Sequence, residues 1–358
     1  MKAAIRFILL VFLAVATLLI LILPQLSPTT ARYLVFVPFC AIPLFLISLL
    51  TLFLVWKHKK ERYVLLCLLL LSLFYLHPYI PQISPLLYSL EDRQKPGTLT
   101  VVSWNCDNFQ LNEDTLQSSA AIIKSMHPDI VCLQERPHSS LLSMEKIKKE
   151  FADYPYIATN DREDEVLNVI IFSRYPLSNP LPHYFEGTFN KYMSVDVHLP
   201  QSLSTKVPLF RLFDIHMQTT GLNDLKQEKI ARTWQRKLHY FRANTILRNK
   251  QADVISQDIE QSPYPTIVCG DFNAIRTSYA YRTVANKLHD IYRGFSGSYS
   301  YYTRSLSPRL EKISHCKAIP VKIDHILVSS PFKHSYYKQP SFLSGDHRIQ
   351  CAVIKIPK

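Results

Sequence analysis

No Cys-x-x-Cys pair occurs among the seven cysteines of this 358-residue chain. Five of them lie beyond the first ninety-odd residues: Cys106, Cys132, Cys269, Cys316 and Cys351. That odd number with no paired spacing indicates neither a disulfide framework nor a cysteine-based zinc site. Cys132 and Cys269 sit inside apolar runs and read as small buried hydrophobes, and no cysteine stands out as a nucleophile. Internal repeats and low-complexity tracts are missing too, which argues against a repeat array or a biased tail. Acidic residues are the minority, 28 against 41 basic, for a net charge of +13. Residues 1–96 hold nine basic and three acidic residues, and the remainder carries 32 and 25, a net +7. A domain of that charge favours anionic partners such as nucleic acid, phosphorylated molecules or acidic lipid, without choosing among them.

What the first part of the chain has in excess is apolar length. Residues 7–23 are an uncharged run near the minimum for a membrane span, preceded by Lys2 and Arg6 and closed by Pro24. A signal-peptide core has the same composition, but no convincing small-residue cleavage site comes after it. Residues 33–56 form a second, longer run with Pro38 and Pro43, and residues 63–79 a third that ends at His77-Pro78. Between them Lys57, Lys59, Lys60 and Arg62 make a strongly basic loop. Basic loops stay cytoplasmic, so three spans from an inside N-terminus leave the rest of the chain on the outer face of the cytoplasmic membrane. A third run that fails to cross would leave it cytoplasmic. The expectation is a multi-pass anchor over residues 1–80, held in the bilayer by about three transmembrane helices. After it come a proline-containing linker over 81–97 and a folded domain over 98–358.

From residue 99 onward short apolar strands alternate with helical stretches, an α/β or α+β pattern. Strands are expected at 99–104, 129–133, 166–172, 192–198, 209–216, 267–269, 322–329 and 350–356, and a helix at 116–126. Residues 222–259 are the longest helical region, with Ile230, Trp234, Leu238 and Phe241 as an apolar stripe and Lys and Arg residues around it. That basic face is either ordinary solvated surface or a contact for nucleic acid or anionic lipid.

The chain is organised around Thr266-Ile267-Val268-Cys269-Gly270-Asp271-Phe272-Asn273-Ala274. The apolar residues read as a buried strand, and Gly270 is expected to let the chain turn where it ends. Asp271 and Asn273, two apart, would then project together from its lip, or else form an Asx-turn. Other strand ends also deliver polar groups: Asn105 after Ser103-Trp104, Glu135 after Gln134, His216, Asp324-His325 and Asp346-His347. Each alone has a structural explanation; six in this order are hard to dismiss.

Taken together, these motifs, with Ser173-Arg174-Tyr175-Pro176, resemble the endonuclease/exonuclease/phosphatase family over residues 99–356. The resemblance implies a four-layer sandwich, two face-to-face β-sheets flanked by helices, and hydrolysis of phosphate esters. Glu135, Asn105 and Asp346 would hold Mg²⁺ or Mn²⁺, a sparse oxygen set that suits a hard cation. Asp271 would accept a proton from the attacking water or orient it, and Asn273 would hold that water or a phosphate oxygen. His347 would contact the scissile phosphate, Asp324 would brace an imidazole, and His216 would be the second phosphate-side imidazole. The implied function is a membrane-anchored phosphoesterase, with a nuclease favoured. A lipid or small-molecule phosphodiesterase or phosphatase, or a non-catalytic binding module, are the alternatives. The expected partners are a phosphate-ester substrate, with nucleic acid a candidate, and the bilayer, with no protein partner evident.

Three departures matter. Asn168 replaces the usual Gly, with an effect expected on local packing only; Gly345 replaces the Ser before Asp-His; and Arg174 either acts at the site or braces a turn. The Tyr- and Arg-rich segment between Asn273 and Asp324 suits stacked bases, a sugar or lipid-headgroup pocket, or a loop core. No signature specific to abasic-site enzymes or inositol phosphatases is present.

Overall fold

The structure, a computed structural model, describes residues 3–22, 26, 36–77, 97–138, 142–160, 166–204, 206–221, 234–292, 297–302, 318–340 and 345–357. Three N-terminal helices pack into one apolar unit: α1 (Ala3–Ile22), α2 (Ala41–Leu54) and α3 (Lys59–Leu76). A one-turn helix, Val37–Cys40, leads into α2. Among the described residues two helical stretches, Ala3–Ile22 and Val37–Leu54, are long and apolar enough to cross a membrane, fewer than the three expected. The third falls short because α3 opens on Lys59-Lys60-Glu61-Arg62, which leaves only 63–76 apolar. Arg6 Nε donates to Glu61 Oε1 at 3.2 Å, so the starts of α1 and α3 lie at the same end of the unit.

The remainder is built on two six-stranded sheets. The first runs β13 (Lys333–Lys338), β14 (Gln350–Lys355), β1 (Thr98–Asn105), β2 (Ile130–Arg136), β4 (Asn168–Ser173), β3 (Tyr156–Thr159). The second runs β5 (Leu177–Tyr184), β6 (Lys191–His198), β7 (Leu209–His216), β8 (Thr266–Asp271), β12 (Asp324–Val328), β9 (His289–Asp290). A small ribbon, β10 (Tyr299–Tyr302) with β11 (Ala318–Val321), stands apart. Every strand expected from the sequence is there, 209–216 with the bounds expected and the others with shifted ends. β3, β5, β9, β10, β11 and β13 were not anticipated, being short or carrying no apolar alternation.

Side-chain alternation explains the layers. Leu99 and Val101 of β1, with Ile130 and Cys132 of β2, face Val195, Leu212, Ile267 and Cys269 of the second sheet across the central core. The intervening Val102, Trp104, Val131 and Leu133 point outward, into a second core with α4 (Glu113–Ser125) and α5 (Met144–Glu150). Asn112 caps α4 by accepting from the Asp114 amide at 2.8 Å, and Ser143 caps α5 through the Lys146 amide at 3.3 Å. On the other side Phe213, Ile215, Val268 and Leu327 pack on α6 (Trp234–Glu260) and α7 (Tyr279–Val284). The order is thus helices, sheet, sheet, helices, the four-layer α+β sandwich expected.

Two details of α6 differ from the reading of its sequence. Residues 222–233, with Ile230, lie outside the described residues. The packed face is Phe241, Thr245, Arg248, Ala252, Ile255 and Ile259, while Leu238 is exposed. The stripe drifts because the helix buries Thr245 and Arg248, polar residues that periodicity in apolar residues passes over. Thr245 Oγ1 donates to the Phe241 carbonyl at 2.7 Å and Arg248 Nη1 to that of Gln218 at 2.8 Å.

Candidate active site

Strand register assembles the site. β7 pairs parallel with β8 so that His216 stands opposite Asp271, and β12 pairs antiparallel with β8 so that Asp324 stands opposite Asp271. One row across three neighbouring strands therefore carries a histidine and two aspartates. In the facing sheet Asn105 pairs with Gln134 at the ends of β1 and β2. The β2–β4 register shifts between Leu133 and Arg136, and Glu135 adopts φ +54°, a bulge that turns its carboxylate toward the row.

Gly270 does not turn the chain. It is a strand residue at φ +134°, and β7 approaches so closely that a Cβ there would lie 2.0 Å from the Ile215 carbonyl oxygen. The turn comes at Asn273, φ +49°, whose amide donates to Asp271 Oδ1 at 2.8 Å. The Asx-turn and the paired presentation of Asp271 and Asn273 are thus the same geometry.

Asp271 is the hub. Its Oδ2 accepts from Asn273 Nδ2 at 3.0 Å and Asn105 Nδ2 at 3.1 Å, and lies 3.7 Å from His347 Nε2 and 3.9 Å from His216 Nε2. Burial lifts its carboxyl to about 6, moderated by the charge on His347 and reinforced by that on Asp324. His347 Nδ1 meets both Asp324 oxygens, at 3.0 and 3.1 Å. Burial alone would lower this imidazole, but Asp324 and Asp271 raise it well above its ordinary value. His216 Nε2 lies 3.3 Å from Glu135 Oε1, and its buried Nδ1 has no hydrogen-bond partner among the described residues. Burial works against its charge too, yet Glu135 and then Asp271 raise it. Glu135, in turn, is half-buried, and against that desolvation it is held at about 2 by His216 and Asn105 and by the His347 charge.

All eight expected residues converge at these strand ends. Six of them line a cavity of about 480 Å³, while Asp324 braces His347 and Asn105 braces Glu135 and Asp271 from behind it. Asn105 stands between Glu135, Asp271 and the Asp107 backbone. Its amide nitrogen spans Glu135 (2.8 Å) and Asp271, and its oxygen accepts from the Asp107 amide at 3.1 Å. His325, next to Asp324, faces away, between Asp290 and the Ala274 carbonyl. Arg174 lies at the far end of β4, its guanidinium over the Tyr154 ring, and braces that turn. Asn168 is more than local packing: its Oδ1 accepts from Asn160 Nδ2 at 2.7 Å and Lys191 Nζ at 3.3 Å.

Sequence reasoning missed Asp107. It opens a run of left-handed residues, Asp107 to Leu111, that no periodicity announces. Burial, together with Asp346 and then Glu135, pushes its carboxyl up to about 6. Asp346 is raised as well, by burial, with Glu135 adding to it. Carboxylates that raise one another this way favour a cation among them. Four carboxylates, Asp107, Glu135, Asp271 and Asp346, line the cavity with His216 and His347, and no Lys or Arg does so among the described residues. Glu135, His216 and Asp271 can offer ligand atoms within 4.8 Å of one another. This hard, oxygen-rich set of carboxylates fits a divalent cation such as Mg²⁺.

Residues 102–347 match the endonuclease/exonuclease/phosphatase family. No curated protein matches the chain by sequence. Among solved structures it is similar to humanized D. rerio TDP2 (16% identity, TM-score 0.52, covering 72% of this chain and 99% of that one). D. rerio TDP2 complexed with a single-strand DNA product is similar at 15% identity and TM-score 0.51, covering 72% and 98%. A family protein from Bacteroides thetaiotaomicron is similar at 16% and 0.51, covering 74% and 100%. At these identities the likeness speaks for the fold.

Proposed function

Because the chain belongs to the endonuclease/exonuclease/phosphatase family, we propose that it hydrolyses phosphodiester bonds with a divalent cation while anchored in a membrane, and that its substrate is nucleic acid. The observation that carries this reading is the convergence of Asp271, Asn273, His216, Asp324, His347 and Glu135 on one cavity. Glu135, Asp346 and Asp107 would hold Mg²⁺ or Mn²⁺, with Asn105 fixing Glu135 from behind. The cation would neutralise charge on the phosphate.

The remaining work falls to the protein. Asp271, raised to about 6, is poised to take the proton of an attacking water, and Asn273 orients that carboxylate and the water. His347, kept protonated by Asp324, donates to a phosphate oxygen as charge builds there. His216, charged against Glu135, serves the opposite oxygen or the leaving group. Attack is in line, without a covalent enzyme intermediate. Phe189, 69% exposed at the rim beside Asn190 and Asn244, offers a face on which a base can stack.

The contact between the Val37–Cys40 turn and the domain favours an outer-face location. The Val37–Cys40 turn touches the domain: Thr277 Oγ1 donates to the Pro38 carbonyl at 2.8 Å. Turn and domain therefore share one side of the membrane, and two crossings, α2 and α3, separate them. The basic 57–62 loop then falls on the cytoplasmic side. α2 and the apolar part of α3, residues 63–76, each rise only about 21 Å, so this topology requires both to cross a locally thinned bilayer.

That closeness to the bilayer also favours a second reading, a phosphodiester carried on lipid. The full chain, in detergent or lipid nanodiscs, should cleave bis-(p-nitrophenyl) phosphate and single-stranded DNA with Mg²⁺ and lose both activities in EDTA. Equal turnover without metal would overturn the mechanism. DNA cleavage that falls steeply across a salt series supports the nuclease, whereas hydrolysis confined to phospholipid vesicles would replace it with the lipid reading. An alkaline phosphatase fused after Lys95 should be active; an inactive fusion would refute the topology.

A further inference from the structure

The one-turn helix Val37–Cys40 lies between two membrane helices, yet it makes its contacts on the catalytic domain. Phe36 stacks on Phe241 of α6 with centroids 4.5 Å apart, and Phe39 meets the same ring edge-on at 5.4 Å. Pro38 is buried, and its carbonyl accepts the buried Thr277 hydroxyl. Phe39 also packs against a small cluster formed by Ile275, Tyr299 and Ile323.

Each member of that cluster is tied to the site. Ile275 lies two residues after Asn273, and Ile323 immediately precedes Asp324. Tyr299 bridges to His347 through the backbone, and their rings lie 4.6 Å apart. Neighbouring Ser298 adds rigidity: its hydroxyl accepts from the Ile323 and Asp324 amides, both at 3.0 Å, and its carbonyl from the Arg348 amide at 2.7 Å. The cluster is the back wall of the segments that carry Asn273, Asp324 and His347. The anchor closes that wall.

We propose that the Val37–Cys40 turn is a structural part of the catalytic centre, with Phe39 a positioning residue that sets His347 and Asp324 through Tyr299 and Ile323. The inference rests on the phosphodiesterase reading for its catalytic arm only. Removing the Phe39 ring leaves a cavity behind three site segments, and shifts well under 1 Å in such groups lower turnover without touching substrate.

The test uses the full chain in nanodiscs with Mg²⁺ and bis-(p-nitrophenyl) phosphate. F39A should lower kcat about tenfold or more and leave KM within about twofold. F39L should recover most of the loss. T277V, which removes only the hydroxyl donor to Pro38, should act in the same direction more weakly. F53A, on a side chain 83% exposed on α2, should change nothing. In parallel, hydrogen exchange without substrate should show the Ser298, Ile323 and Arg348 amides exchanging faster in F39A. Unchanged exchange would overturn the docking even for a chain that turned over no substrate. Faster exchange with unchanged kcat would overturn the positioning role.

Discussion

Gly270→Ala is the sharpest test of how the fold makes the site. The added Cβ would sit 2.0 Å from the Ile215 carbonyl oxygen, 2.8 Å from its nitrogen and 2.9 Å from its carbonyl carbon. All three are backbone atoms of β7, so no side chain can swing aside, and relief requires β7 and β8 to separate. An alanine at φ +134° is strained in addition. Gly187 provides the internal control: at φ +70° with no atom within 4 Å of a built Cβ, its alanine variant carries strain alone, about 1–2 kcal/mol. Gly270→Ala should therefore cost roughly 3–5 kcal/mol, well beyond Gly187→Ala. Denaturant unfolding of the full chain, read from the fluorescence of buried Trp104, measures both. Because the strained pair is Ile215–Gly270 and the next is His216–Asp271, the folded fraction should also lose turnover. Equal costs for the two variants would refute the close-approach argument.

Activity should rise with pH through about 6, where the Asp271 carboxyl loses its proton, because only the carboxylate accepts one from water; a kcat/KM profile with no acid limb there would contradict its role. Asp271→Asn should lower kcat by a factor on the order of 10² or more. Asp214, buried between the sheets with Gln134 Nε2 donating to it at 2.5 Å, is raised well above its ordinary value by burial. Such a group keeps its proton in the folded state while the unfolded chain has lost it, so stability falls as pH rises from about 4. Asp214→Asn should therefore gain on the wild type by up to about 1.4 kcal/mol per pH unit in urea unfolding at pH 5, 6 and 7. Gly345→Ser, at φ +74° with a Cβ 3.3 Å from that of Asp107, should cost about 1–2 kcal/mol by the same assay.

Most of the layered fold was legible because the central strands are buried on both faces and read as apolar runs. The edge strands were not: β5, Leu177–Tyr184, contains Pro180 and Pro182 and has no fully buried residue, so nothing in its composition separates it from a loop. Residues at strand ends were legible for the site, since a polar group after an apolar run marks where the strand leaves the core. Asp107 was invisible because it sits in a left-handed turn, and its partner in the same pattern, Gly345, registered only as a departure at the Ser position. The two belong together: with no Cβ at 345 the Asp107 side chain packs against that backbone beside Asp346. The basic face of α6 did not decide the substrate, and the cavity itself supplies the reason. Its described lining carries carboxylates, imidazoles and neutral amides, so the net positive charge of the domain is carried elsewhere.

Strand register links stability and chemistry at this site. His216, Asp271 and Asp324 are opposite one another on β7, β8 and β12. A slip of one residue between any two of these strands turns every side chain of the slipped strand to the other face. Phe213 and Ile215 would then enter the central core, and Leu212 would leave it. The apolar alternation that fixes the sheets thus fixes which imidazole meets which carboxylate, and no separate feature is needed to align the row. The facing sheet needs one more device, because Glu135 approaches from the other side of the core. The bulge after Leu133 supplies it, at the cost of a non-glycine residue at φ +54°. That strain, about 1–2 kcal/mol, is held by the same bonds to His216 and Asn105 that keep Glu135 ionised.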